Sequence, residues 1–162
     1  MFAVRYVALV ALVVWLGGTV VLGLLVAPAT FNVLQANDPA TGRMLAGVPV
    51  GDVMHRFHLM AFGCGAVIFI SLFIIKFVGP PPRAFVLRAA LVFVMLALEG
   101  YSGGVVARKI TRMQSQVSGP IGQLANTDQQ RLRFDRLHQT STALMTANLA
   151  LGLILLLWYA RE

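Results

Sequence analysis

From Tyr6 to Asn37 the chain reads YVALVALVVWLGGTVVLGLLVAPATFNVLQAN, without one Asp, Glu, Lys or Arg. A helix crossing the hydrocarbon of a bilayer needs about 20 mostly apolar residues. The apolar part of this stretch, which ends near Ala27, is long enough. Phe57 to Ile75 is equally free of those four residue types. Ala89 to Ala107 carries one exception, Glu99. Gln139 to Ala160 has none and ends with Trp158 and Tyr159, aromatic residues that suit a headgroup boundary. Four such segments predict an all-α integral membrane protein, an antiparallel four-helix transmembrane bundle with helical extensions on one side. The spans are set at about 4–27, 57–78, 84–107 and 138–160, in one domain covering 1–162.

Composition agrees with that reading. Of 162 residues, 58% are hydrophobic and 12% charged, with a mean hydropathy of +0.79. Soluble domains carry about 25% charged residues, so a freely soluble globular enzyme is nearly excluded. Thirteen Lys and Arg against six Asp and Glu give a net charge of +7. No aromatic-interleaved basic motif accompanies that charge, so the expected partner is a bilayer with anionic headgroups and not nucleic acid. A single cysteine, Cys64, excludes an intrachain disulfide and any CxxC metal knuckle. Ala27-Pro28-Ala29 has the form of a signal-peptidase site, but the apolar stretch before it is longer than a typical signal sequence.

The breakers fix the connections. Pro28 follows the first span, and Asn37-Asp38-Pro39 offers an N-cap with proline at the first helical position. The second helix is therefore expected from there, through Met44 and Leu45, with a kink at Pro49. Gly79-Pro80-Pro81-Pro82 stops it before the third span, and Ser118-Gly119-Pro120 breaks the chain again. Thr127 and Gln130 have capping-box spacing, which starts the fourth helix near Asp128. Helical segments at about 39–50, 108–117 and 128–137 would then form a collar on one side, here called side B. Side A holds both termini and the proline turn. Side B carries Arg43, Arg56, Arg108, Lys109, Arg112, Arg131, Arg133 and Arg136; side A carries Arg5, Lys76, Arg83, Arg88 and Arg161. Eight against five favours side B in the cytoplasm and both termini outside, with the plasma (inner) membrane as the expected location if the source is bacterial.

Polar residues near the spans are the candidates for function. His55 and His58 open the second span on side B, His138 opens the fourth on the same side, and Glu99 lies within the third. Asp52, Asp135, Arg56 and Arg108 frame them. Asp52 and His55, and Asp135 and His138, stand three apart, so each helix can present a carboxylate–histidine pair on one face. Such pairs suit a metal or haem site, because a carboxylate to the second ring nitrogen is the usual outer shell of a ligating histidine. They suit polar residues in the headgroup zone better, since no HExxH or CxxCH is present and no single helix carries a run of ligands. A copper(I) site would draw on Met54 with His58, or Met60 with Cys64. Asn148, deep in the fourth span on the face of Ser141, Met145 and Gly152, suits an interhelical hydrogen bond. Gly17, Gly18 and the Gly100–Gly104 pair suit close helix packing, inside the bundle or at a homo-oligomer seam. Glu99 is costly to bury in hydrocarbon. It should be protonated, facing a wet cavity, or paired with Arg56 or a side-B histidine.

Three runs carry a family resemblance: Trp15-Leu16-Gly17-Gly18, Val26-Ala27-Pro28-Ala29-Thr30-Phe31, and Phe134-Asp135-Arg136-Leu137-His138-Gln139-Thr140-Ser141. In this order the chain resembles the transmembrane protein 205-like proteins, which in bacteria form domain of unknown function 4149. The resemblance implies a four-span helical membrane protein without an established biochemical activity, and it brings no catalytic residues. The leading functional expectation is a non-enzymatic membrane protein, acting alone, as a homo-oligomer or as a small subunit of a larger assembly. Binding of haem or a metal by the side-B histidines is one alternative. Transport of a proton or small cation through Glu99 is the other.

Overall fold

A computed structural model describes residues 2–39, 41–79, 84–116, 121, 124 and 127–161. Four helices follow in order: α1 (Phe2–Asn37), α2 (Gly42–Val78), α3 (Phe85–Gln116) and α4 (Gln129–Ala160), with no strand among the described residues. Their 36, 37, 32 and 32 residues are each long and apolar enough to cross a membrane. At 1.5 Å per residue every helix exceeds the ~30 Å of a hydrocarbon core, so each has turns to spare.

Apolar faces from all four helices meet in one core. Leu12 and Trp15 of α1, Ile68 and Leu72 of α2, Val92 and Met95 of α3 and Leu155 of α4 are essentially sealed from outside. Small residues set how closely the helices approach. A Cβ at Gly65 would lie 2.4 Å from Leu96 Cδ2, and one at Gly152 would lie 2.3 Å from Leu16 Cδ2. At Gly18 it would meet the Phe57 ring at 2.6 Å. In a bilayer, where lipid tails provide no hydrophobic drive, dispersion across such contacts would hold the helices together. Large apolar side chains also cover the outside, among them Leu24, Leu59, Ile70, Phe93 and Leu153, each more than half exposed. Soluble domains avoid so extensive an apolar surface.

Several local expectations are corrected. Pro28 does not end the first helix, which runs on to Asn37. A π-helical turn at Leu22–Val26 precedes it, and Ala27 N–H bonds back to Leu22 O. The extra residue opens the turn, so Pro28 falls at the start of the resumed α-helix, where a missing N–H costs little. Asp38 does not start α2. It closes α1 in an extended conformation, its N–H bonded to Leu34 O, while its carboxylate accepts from the Thr41 backbone N–H at 3.1 Å and from the Thr41 hydroxyl. The second helix begins at Gly42, whose missing Cβ would lie against the Leu34 carbonyl of α1. Pro49 lies inside an unbroken α-helix.

At α4 the cap is Asp128, not Thr127: its carboxylate accepts from Gln130 N–H at 2.7 Å, and the helix starts at Gln129. Collar segments 42–50, 108–116 and 129–137 are all helical. The Pro80–Pro82 stop and the Ser118-Gly119-Pro120 break lie outside the described residues. Of the glycines chosen for packing, Gly17 and Gly104 face open space and Gly100 meets only the rim of the Phe62 ring. The tight neighbour of Gly104 is Gly103, because α3 turns that side towards α2.

Candidate functional site

Glu99 sits on α3 three residues before a second π-helical turn, Ser102–Val106. Its helix is apolar from Ala89 to Leu98, and the carboxylate turns inward, leaving the residue 6% exposed. Two side chains from different helices reach it. From α2, His58 Nδ1 lies 2.5 Å from Glu99 Oε1. From α4, Asn148 donates through Nδ2 to Glu99 Oε2 at 2.9 Å, and Asn148 is itself 4% exposed. Three helices are thus tied at one buried polar centre.

Gly103 makes room for the histidine. A Cβ there would lie 2.9 Å from His58 Cγ and 3.1 Å from its Cβ, at the base of the ring where the side chain has little freedom to yield. Thr19 of α1, Ser102 of α3 and Ser141 of α4 line a small cavity beside the carboxylate. Thr19 is buried and its hydroxyl donates to Trp15 O at 2.9 Å, which uses its proton on its own helix. A π turn adds one residue to a helical turn and often sits at functional positions.

A carboxylate against an imidazole holds one proton between two basic atoms. With the proton on nitrogen and the second ring nitrogen also protonated, the pair is His⁺–Glu⁻. With one proton fewer on the ring and one on the carboxyl, both groups are neutral. Either arrangement has zero net charge, which is what a low-dielectric interior tolerates. Adding or removing one proton would give the pair a unit charge.

The other sequence candidates lie elsewhere. Arg56 does not reach Glu99; it pairs with Asp52 one helical turn away at 2.9 Å, with both side chains largely in the open. His55 is exposed. His138 is exposed too and stacks on Phe134 with ring centroids 6.5 Å apart, while Asp135 is half-buried. Among the described residues no three of His, Cys, Asp and Glu come together as a metal site would need. Met54 and His58 both line the small cavity, but the imidazole is committed to Glu99.

A buried cation escaped the sequence reading. Arg88, counted there among the side-A charges, is 3% exposed. Its guanidinium lies 5.5 Å from the Tyr159 ring centroid and 5.9 Å from that of Trp158, and donates to Trp158 O at 3.5 Å. The aromatic pair at the end of α4 was the available signal, since such rings attract a guanidinium as readily as a headgroup. Lys76 similarly stands over the Phe85 ring, 4.5 Å from its centroid.

No family model matches the chain, and no curated protein or solved structure is significantly similar to it.

Proposed function

We propose that this chain is a multi-pass integral membrane protein whose four helices cross the bilayer as an antiparallel bundle and whose working element is a proton-holding site at Glu99. The observation that carries the reading is the 2.5 Å contact between His58 Nδ1 and Glu99 Oε1, buried in the apolar interior with Asn148 on the second carboxylate oxygen. Ionisable groups at membrane depth are expensive and as a rule mark ion or proton pathways. A carboxylate serving packing alone would be replaceable by any apolar residue of its size. Contacts between helix pairs support the antiparallel arrangement: Gly18 meets Phe57 while Gly65 meets Trp15, and Glu99 meets Asn148 while Arg88 meets Trp158.

The activity is proton uptake and release, by the chain alone, as a homo-oligomer or as a small subunit of a membrane assembly. Four helices enclose too little volume for an aqueous pore, so continuous conduction would need further copies or partners. The collar arginines lie against anionic headgroups, and the basic count places side B in the cytoplasm. Membership of the transmembrane protein 205-like family, proposed on the three motif runs, fits a four-span protein without catalytic residues.

Proton release between two bulk pH values tests the reading, measured with a pH-sensitive dye on purified protein in lightly buffered nanodiscs. The expected result is a release from wild type that exceeds that from Glu99→Gln. Equal release from both proteins overturns it.

A further inference from the structure

Asn148 uses its amide NH₂ on Glu99. Its Oδ1 is fully buried and has no hydrogen-bond partner among the described residues. A buried carbonyl oxygen without a donor is costly, and native interiors rarely leave one so. The cavity that Asn148 lines with Thr19, Glu99, Ser102 and Ser141 measures about 10 Å³. About 10–15 Å³ is the least space that holds one water, which also needs two to four polar partners. This cavity offers an orphan acceptor, two serine hydroxyls that both donate and accept, and the remaining carboxylate lone pairs.

We infer that the cavity binds a single water molecule, held by Asn148 Oδ1 and the hydroxyls of Ser102 and Ser141, and that the Glu99 proton exchanges through it. The inference rests on the proton-holding reading of Glu99. Water fits better than an apolar guest because the acceptors would otherwise lie against hydrocarbon. It fits better than a cation because it donates to Asn148 and a serine while accepting from the other serine. In the exchange step the Glu99 O–H bond breaks and its electron pair stays on the carboxylate. The proton bonds to the water oxygen, and the water passes one of its own protons to the Ser141 hydroxyl, which hands one on towards side B. No electrons are transferred and the water is regenerated. Among the described residues, His58 and Glu99 are the titratable groups lining the cavity; α1 contributes Thr19, and the polar lining from α4 is Ser141 and Asn148.

Infrared difference spectroscopy on the protein in nanodiscs tests this, with pH steps taken in ordinary water, H₂¹⁸O and D₂O. A wild-type O–H stretch that shifts in H₂¹⁸O reports the internal water, and the carboxyl C=O band absent from Glu99→Gln reports Glu99. In Ser141→Val, which fills the cavity, the water band disappears and the deuteration of the Glu99 carboxyl slows by about tenfold, equivalent to about 1.4 kcal/mol on the exchange barrier. Ser141→Ala keeps the fold with little change of volume; there the water band shifts and the exchange slows less. An ¹⁸O-sensitive band present in wild type and lost in Ser141→Val, without any pH-dependent Glu99 band, supports the water and rejects the proton reading. No ¹⁸O-sensitive band in wild type, or one unchanged in both Ser141 variants, overturns the water. A melting temperature that rises when sodium replaces choline in wild type, but not in Ser141→Val, overturns it in favour of a cation.

Discussion

Replacing Glu99 by glutamine and by leucine separates a protonatable carboxyl from a fixed ion pair. The carboxyl group makes two hydrogen bonds, one shared with His58 Nδ1 at 2.5 Å and one accepted from Asn148 Nδ2 at 2.9 Å. Glutamine copies the neutral acid. Its NH₂ can donate to an unprotonated His58 Nδ1 while its oxygen accepts from Asn148. With the ring proton on Nδ1 instead, the glutamine amide turns over, and its NH₂ finds Asn148 Oδ1 once that amide turns as well. Both hydrogen bonds survive, so Glu99→Gln should cost under about 1 kcal/mol. Leucine keeps the bulk and removes both bonds. Interhelical hydrogen bonds in membrane proteins are worth about 0.6 kcal/mol on average and up to about 1.7. Two of them, with His58 and Asn148 left unsatisfied, give an expected loss of about 2–3 kcal/mol. The assay is unfolding of both variants in mixed micelles of one mild detergent and dodecyl sulfate at neutral pH. If the pair were a permanent His⁺–Glu⁻ bridge, Glu99→Gln would strand an imidazolium in the core at about 3–5 kcal/mol. A glutamine variant as unstable as the leucine one, and rescued by adding His58→Leu, would refute the neutral-proton argument.

Further expectations concern packing, capping and orientation. Gly103→Ala should push the His58 ring off Glu99 and destabilise by about 1–3 kcal/mol, whereas Gly104→Ala, with nothing within 4 Å, should be neutral or slightly stabilising. Melting in detergent compares the two adjacent variants directly, and equal losses would mean α3 is turned differently. Asp128→Ala removes the cap that holds Gln130 N–H and should cost about 0.5–2 kcal/mol. Hydrogen exchange should then show faster amides confined to the first turns of α4. In a Cys64→Ser background, a cysteine at the exposed Ser115 should resist an impermeant thiol reagent in intact cells, while one near the C-terminus reacts. The reverse pattern inverts the proposed orientation.

The sequence by itself determined the helices. Four charge-poor runs of about 20 residues can satisfy their backbone groups in lipid only as helices, so Tyr6–Ala27 and Gln139–Ala160 were legible without any tertiary knowledge. Glu99 was legible as a candidate too, because a lone carboxylate in such a run is costly wherever it points. The helix ends were less so. Asp38 and Asp128 each have the chemistry of a cap, but whether a cap closes one helix or opens the next depends on backbone angles that the residue type leaves free. Pro28 misled because its effect depends on a π turn set by hydrogen bonding over the preceding five residues.

Partner choice was decided by the tertiary structure alone. His55, His58 and His138 share a membrane side in the sequence, yet only His58 meets Glu99, because helix rotation turns the others outward. Gly103 against Gly104, and the burial of Arg88 beneath Trp158 and Tyr159, follow from the same rotation. A uniformly apolar helix carries little periodic signal of which face turns inward, since lipid and core are equally hydrophobic. That face is fixed by how side chains from several helices fit together.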